Sequence, residues 1–184
     1  MNRTEAFKVL NSYVKNEKMI FHSLASEAVL RGLARHLGRD EEKWSLAGLL
    51  HDLDVEVTNA EATIHGTQTE ALLKDYDIDP DILDAIRMHN EWSSGKERST
   101  EFQYALAAGE TITGLIFATT YVYPDKKLTS VKPKSVVKRM KEKMFAASVK
   151  RENIMECEKI GIPIDQFAAI AIEAMLPIAD QIGL

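Results

Sequence analysis

The stretch LAGLLHDLDVE, residues 46–56, decides the fold and poses the main question about this chain. It begins as an apolar run of helical character and ends in His51 and Asp52, which Asp54 and Glu56 follow. Upstream, Asp40 is a good N-cap residue, and the acidic residues after it suit the first turn of a helix. The sequence therefore predicts a core helix that carries an imidazole and several carboxylates at its C-terminal end.

Apolar residues on both sides of this stretch recur mostly at spacings of three and four, and few prolines or glycines interrupt them. This pattern predicts an all-α fold. With connections of ordinary length and no internal repeat, residues 1–184 are expected to form a single compact helical bundle, with basic and apolar C-terminal helices (about 125–184) packed on it. The predicted helices cover residues 4–15, 19–37, 41–52, 64–76, a segment that opens at Pro80, 101–121, 135–147 and a segment from about Pro163.

The charge of the chain is unevenly distributed. The formal net charge is -5, yet residues 126–151 contain ten Lys or Arg and one Glu. Such a run is either a solvated helix face or a surface for phosphate groups, nucleic acid or a membrane. The acidic balance of the whole chain, with Phe145 as the only aromatic residue among these lysines, argues against nucleic acid as the partner.

The chain has one cysteine, Cys157, so an intramolecular disulfide is excluded, and its start lacks the pattern of an export signal. A cytoplasmic protein is expected. The apolar stretch 167–184 contains Glu173, Pro177 and Asp180, which predicts a buried terminal helix and no membrane partner. That helix either closes the core or pairs with a second copy, so a homodimer stays open.

Two ionisable residues stand on predicted inward faces. His89 continues the apolar stripe of residues 82, 85 and 86, and Glu110 lies on the stripe that runs from Phe102 to Phe117. An inward histidine is often a hydrogen-bonded core residue, but a buried carboxylate needs a partner, a proton or a metal ion. Imidazoles and carboxylates that face inward from several helices are typical of a metal site inside a bundle.

The order of five motifs, IFHS, LLHDLDVE, IHGTQTEALL, AIRMHNEW and AAGETITGLI, resembles the HD-domain superfamily of metal-dependent phosphohydrolases, and in particular its small stand-alone, HDIG-like members. The likeness continues into KSVVKRMKEKMF and KREN and covers most of the chain. It implies a helical bundle with the metal between its helices. The ligands implied for a first metal ion are His22, His51, Asp52 and Glu110.

In members with two metal ions, histidines placed like His65 and His89 bind the second ion, and Asp52 bridges the pair. This chain departs from the family pattern twice: Glu110 replaces the usual Asp, and His89-Asn90 stands where some members have two histidines. One ion and two ions therefore both remain open. Nitrogen and oxygen ligands without thiolate suit Fe, Mn, Co, Ni or Zn and argue against calcium.

The function implied is hydrolysis of a phosphomonoester or a nucleotide by a metal-bound hydroxide, with Asp52 as the catalytic residue that orients it. The expected partner is a small phosphorylated, nucleotide-like substrate. Cationic side chains stabilise the charge of a transferring phosphoryl group, which gives the basic segment a use. The candidate contacts to substrate phosphate are Lys134, Lys138, Lys141 and Arg151.

Two other functions are compatible with the same residues. An HD-type di-iron oxygenase would use the same histidines and would take up oxygen. A regulatory or binding protein, in which metal only stabilises the helices, would lose its fold but no activity when metal is removed.

Overall fold

The computed structural model describes residues 1–184 and is all-α, as the sequence predicts. Its α-helices are α1 Arg3–Tyr13, α2 Glu17–Leu37, α3 Glu41–Leu50, α4 Thr69–Leu72, α5 Pro80–His89, α6 Glu91–Ser94, α7 Glu101–Tyr121, α8 Pro133–Met140, α9 Arg151–Met155 and α10 Ile164–Met175. Short 3-10 helices cover Leu128–Ser130, Glu156–Ile160, Leu176–Ile178 and Asp180–Ile182.

The long helices begin and end at residues that satisfy their free backbone groups. Asp40 accepts a hydrogen bond from the amide of Lys43, and Asp79 accepts one from the amide of Asp81. Gly38 ends α2 in the left-handed conformation, with φ of 66°. The cap at Asp40 agrees with the sequence prediction, and the three caps fix the start of α3 and α5 and the end of α2.

Helix α2 lies at the centre and packs against α3, α7 and α10. Its contact with α3 is close because position 48 is glycine: a Cβ there would lie 2.6 Å from the carbonyl oxygen of Ser26 and 2.9 Å from the amide nitrogen of Glu27. On α7, a Cβ at Gly109 would lie 2.6 Å from Leu30. The two glycines let α3 and α7 pack closely against α2. Gly48 lies three residues before His51, and Gly109 directly precedes Glu110.

The helix predicted over residues 64–76 is wrong for most of its length, since only Thr69–Leu72 is helical. The segment before it consists of turns. The amides of Gly66 and Gln68 donate to the carboxylate of Asp54 and not to a carbonyl one turn back. Gly66 also has φ of 91°, a conformation outside the helical region. A tertiary hydrogen bond therefore overrides the local helical pattern.

The basic helix predicted over residues 135–147 is also shorter than expected: it covers Pro133–Met140 and is followed by turns. The guanidinium of Arg151 donates to the carbonyls of Ala146 and Val149, each at 2.7 Å, and also to that of Phe145. Ala146 has φ of 46°. The side chain of Arg151 thus donates hydrogen bonds to backbone carbonyls of these turns, where a continued helix was predicted.

Helix α10 packs against α2, α7 and α8, and Phe167, Ala168 and Met175 on it are fully buried. One face of the terminal apolar stretch thus lies in the core of one chain, as the sequence predicts. No individual helix has both the length and the apolar character to cross a membrane. The segments Arg151–Ile160 and Ile164–Ile178 meet those criteria only as a pair, and they are bent by 101°.

Candidate metal centre

Six potential ligands from five parts of the chain meet at one end of the α2, α3 and α7 packing. The first three come from the first half of α2, from the C-cap of α3 and from the next residue: His22, His51 and Asp52. The other three come from the turns before α4, from the last residue of α5 and from the middle of α7: His65, His89 and Glu110.

The first group contains His22, His51 and Asp52, whose ligand atoms all lie within 4.8 Å of one another. The two Nε2 atoms of His22 and His51 are 3.1 Å apart. Asp52 Oδ2 lies 3.6 Å from Nε2 of His22, and Asp52 Oδ1 lies 3.4 Å from Nε2 of His51. Glu110 adjoins this group, with Oε2 at 3.7 Å from Nε2 of His22.

The second group contains Asp52, His65 and His89, so Asp52 belongs to both groups. Asp52 Oδ1 lies 2.9 Å from Nε2 of His65 and 3.7 Å from Nε2 of His89. The two Nε2 atoms are 3.2 Å apart. A carboxylate shared by two pairs of imidazoles is suited to bridging two cations.

Hydrogen bonds at Nδ1 orient three of the imidazoles for a cation. His51 Nδ1 lies 2.8 Å from the carbonyl of Gly48, and His89 Nδ1 lies 2.5 Å from that of Ile86. A carbonyl only accepts, so Nδ1 carries the proton in each ring and the lone pair of Nε2 points inward. His22 Nδ1 is held in the same way by the hydroxyl of Thr113, at 2.9 Å. Converging lone pairs fit a metal ion, and this donor set fits the divalent transition metals.

Asp54 positions the fourth imidazole. Its carboxylate is fully buried, accepts hydrogen bonds from the amides of Gly66 and Gln68, and lies 2.8 Å from His65 Nδ1. From its place two residues after Asp52, Asp54 is one of the acids that the sequence offers as a candidate for orienting a ligand. Glu56, of the same motif, is exposed and accepts from the backbone amides that join α1 and α2, so it lies outside the site.

Burial and contacts with carboxylates together divide the histidines into two electrostatic classes. Burial, followed by the nearby His51, lowers the pKa of His22 to about 4 and that of His89 to about 3. Burial also opposes a charge on His65, but its contacts with Asp52 and Asp54 outweigh it and raise the pKa to about 10. Two imidazoles are thus neutral at pH 7, whereas His65 is protonated in the metal-free protein.

The carboxyls of Asp52 and Glu110 also differ in the direction of their pKa shifts. Burial opposes ionisation of Asp52, but the neighbouring His51 and His65 hold the pKa of this carboxyl well below its usual range. Burial raises the pKa of Glu110 to about 8, against a hydrogen bond from Thr111 and with the charge of Asp52 adding to the rise. Asp52 is therefore ready to bind a cation at pH 7, and Glu110 must first lose a proton.

Metal binding is consequently expected to release protons and to strengthen as the pH rises. His65 and Glu110 both hold a proton at pH 7 in the metal-free protein, and a ligand atom must lose its proton to bind. Acidification below pH 8 should weaken affinity, since more of Glu110 is then protonated. Calorimetric titration with Zn²⁺ in buffers of different ionisation enthalpy measures the number of protons released. A heat independent of the buffer would contradict this expectation.

Sequence patterns do not identify Arg98, which the structure places beside the site. Its guanidinium is buried and donates to the carbonyls of Met88 and His89 at 2.9 and 3.1 Å, and to Glu156 at 2.7 Å. Arg98 also donates to Asn153, whose amide lies 3.4 Å from the hydroxyl of Thr111. Arg98 thus fixes the end of α5 that carries His89, and it does so from a polar loop with no helical or strand pattern.

The predicted phosphate-binding residues do not touch the six ligands. Lys134, Lys138 and Lys141 are exposed and form no side-chain hydrogen bond or ion pair. Arg151 is partly buried, and its hydrogen bonds go to the main-chain carbonyls of residues 139–149. Lys150, near the end of the basic segment, is the N-cap residue of α9, and Asn153 in that helix contacts Thr111, the neighbour of Glu110.

Comparison with known proteins adds three findings. The family model of the HD domain matches residues 19–128. Over 106 residues, 58% of this chain, the sequence is 30% identical to a Ribonuclease Y of Mycoplasma mycoides and 29% identical to that of Mycoplasma capricolum subsp. capricolum. These regions span 24% and 20% of the two relatives, so the chain corresponds to a quarter or less of their length. No solved structure gives a significant match.

Proposed function

This chain belongs to the HD-domain family, and from that membership we propose that it is a metal-dependent phosphohydrolase that cleaves a phosphomonoester or a nucleotide. The observation that carries the proposal is the position of Asp52, whose carboxylate belongs to both groups of potential ligands. The family consists generally of metal-dependent hydrolases, and the relatives above are named as ribonucleases. A phosphate ester is therefore the proposed substrate class.

The proposed ligands of a first ion are His22, His51, Asp52 and Glu110, and those of a second ion are Asp52, His65 and His89. One or two divalent ions of Fe, Mn, Co, Ni or Zn suit these donors. The longer side chain of Glu110 would reach the first ion from α7 directly or through a water molecule. A bound ion of this kind lowers the pKa of a bound water to about 7 and polarises a phosphoryl oxygen.

The residues of the chain itself have distinct roles in this proposal. Asp52 is ionised at pH 7, would hold a cation at either position and would orient the attacking water. The Nδ1 hydrogen bonds of His51 and His89 hold their rings in place, so no reorganisation is needed when substrate binds. Asp54 holds the ring of His65 in the same way, and Arg98 holds the C-terminal end of α5.

The basic segment is proposed to contact phosphate groups beyond the one that is cleaved. Lys134, Lys138 and Lys141 have free, exposed ammonium groups, which suits a substrate that carries several phosphates. Arg151 is proposed to act indirectly, by holding the turns that follow α8 in place. The ribonuclease relatives make a nucleic-acid strand a substrate to test beside small nucleotides, although the acidic net charge favours the smaller molecule.

We also propose that residues 1–184 form a single HD domain, with the region of about 125–184 packed on the rest. The matched family region ends at residue 128. Phe167 and Ile154, beyond that point, are fully buried in the same continuous apolar cluster as Leu30 and Leu106. The C-terminal helices therefore share one core with the matched region.

Metal content and hydrolysis together test the proposed function. Tag-free protein loaded with Zn²⁺ or Mn²⁺ is expected to hydrolyse at least one member of a panel of phosphomonoesters, nucleotides and short single-stranded RNA, and a chelator should abolish this activity. Elemental analysis should find one or two equivalents of metal, and a second equivalent, where present, should be lost in His89→Ala.

Three outcomes would contradict the proposal in different ways. Oxygen uptake by the iron-loaded protein, with a mixed-valence iron pair and no hydrolysis, would indicate the oxygenase. Loss of the fold on chelation, without any metal-dependent hydrolysis, would indicate a metal-stabilised binding protein. Absence of bound metal under all loading conditions would remove the basis of both enzyme functions.

A further inference from the structure

An exposed tryptophan follows His89 of the second group of ligands by three residues. Trp92 is 73% exposed, and it lies on α6, which begins two residues after His89. The helix is tied to the other histidine of that group: Ser93 donates to the carbonyl of His65 at 2.7 Å, and Asn90 donates to the same carbonyl at 3.0 Å. The indole is therefore carried by a short helix anchored at both histidines.

The end of the basic segment meets this tryptophan. Lys150 has its Nζ 6.0 Å from the centroid of the Trp92 ring, and it is the N-cap residue of α9. Three residues later, Asn153 contacts Thr111, the neighbour of Glu110, and accepts from Arg98. Trp92 and Lys150 thus lie on two segments, α6 and the start of α9, whose neighbouring residues hydrogen-bond to His65 and to Thr111.

Packing in the core does not explain why residue 92 is a tryptophan, because its indole is mostly exposed. The other tryptophan, Trp44, is 4% exposed and stacks on Phe102 with ring centroids 5.1 Å apart. Trp92 has no aromatic partner, and Lys150 is the only cation recorded over its ring. An exposed indole next to a polar site offers a flat π-surface, and every nucleobase has a π-face that stacks on such a surface.

We propose that Trp92 is a stacking platform for the base of the substrate and that Lys150 binds a phosphate of the same molecule. This inference rests on the proposed phosphohydrolase function and narrows it: the substrate is a nucleotide or a single strand, and not a phosphorylated sugar. Stacking of a base on an aromatic side chain and an ammonium group near the phosphates are the two general means of binding a nucleotide chain without base-specific hydrogen bonds.

Kinetics on paired substrates test the role of Trp92. Trp92→Ala is expected to lower kcat/KM about tenfold for adenosine monophosphate, mainly through KM, and to leave ribose 5-phosphate unchanged. Trp92→Phe keeps an aromatic face and should retain most of the activity on the nucleotide. Lys150→Gln should raise KM for both substrates. A short single-stranded oligoribonucleotide, assayed in parallel, separates a strand from a free nucleotide as the natural source of the base.

A binding measurement keeps the inference separate from the proposed function. Adenosine has no phosphate to lose, and the chain has only two tryptophans. Adenosine is expected to quench the tryptophan emission of the zinc-loaded wild type, whereas in Trp92→Phe the remaining emission comes from buried Trp44 and should not respond. Exposed Trp92 makes few packing contacts, so both variants should fold as the wild type does.

The outcomes are distinguishable. If no phosphate ester is hydrolysed but adenosine quenches Trp92, the proposed function fails and the base platform stands. If adenosine has no effect on wild-type emission, or if Trp92→Ala slows the nucleotide and ribose 5-phosphate equally, the stacking role is overturned whether or not the protein is a phosphohydrolase. Equal kcat/KM for the two substrates in the wild type would overturn it as well.

Discussion

Replacing Asp52 by asparagine is expected to lower hydrolysis by at least about a thousandfold, because metal-ion stabilisation of the transition state is worth several kcal/mol. The amide has the size of the carboxylate but no charge, and it cannot bridge two cations. Since Asp52 lies between 2.9 and 3.7 Å from all four imidazoles, no neighbouring side chain can take its place. Elemental analysis should show the loss of both equivalents of metal, whereas His89→Ala should lose only one.

The matched control is Asp75→Asn, which makes the same chemical change at an exposed position outside the site. It should retain wild-type activity and metal content. Asp52→Asn must also be compared with the wild type by thermal unfolding in the metal-free state, so that a lost fold is not mistaken for a lost reaction. Activity within tenfold of the wild type, with two metal ions still bound, would show that Asp52 is not the bridging residue.

Replacing Gly48 by alanine is expected to destabilise the protein by about 2–3 kcal/mol, as overpacking of a close helix contact does. The added methyl would lie 2.6 Å from the carbonyl oxygen of Ser26, an atom of the α2 backbone that cannot move alone. The two helices would have to separate, and they carry His22 and His51. A fall in melting temperature of about 4–12 °C should therefore accompany a weaker affinity for metal.

Gly114→Ala is the control for helix propensity. Gly114 also lies inside a helix, but a Cβ there meets only the side chain of Val149, at 3.2 Å. Alanine is the better helix former by about 1 kcal/mol, so this variant should be neutral or slightly stabilised. Thermal unfolding of both variants, with and without Zn²⁺, makes the comparison. Equal stability of the two would mean that α2 and α3 can separate at little cost.

Much of the fold could be predicted because local signals agree with the tertiary structure. Helical periodicity predicts α7 with its observed bounds and α2 with its observed end at Leu37, and in the structure Gly38 ends α2 and Thr100 caps α7. The two errors share a cause. At residues 64–68 and 141–149, backbone groups bind the side chains of Asp54 and Arg151, which local periodicity does not include. An apolar pattern alone then overestimates the helix.

The site was predictable to the extent that its residues lie on helices or in a family motif. His89 and Glu110 stand on inward stripes, and the resemblance to HD proteins supplied His22 and His65; all of these lie together in the structure. Arg98 and Trp92 lie in or beside short, polar connections, where their surroundings depend on which helix ends meet. No spacing rule reports that, so their positions had to come from the folded chain.

The shared carboxylate of Asp52 makes the occupancies of the two proposed cation positions thermodynamically linked. Whichever ion binds first fixes one carboxylate that the other ion also needs, so each changes the affinity of the other. By reciprocity, the factor is the same in either order of binding. Activity titrated against added metal should then depart from a simple hyperbola, and a limited metal supply would change the proportions of empty, singly loaded and doubly loaded molecules together.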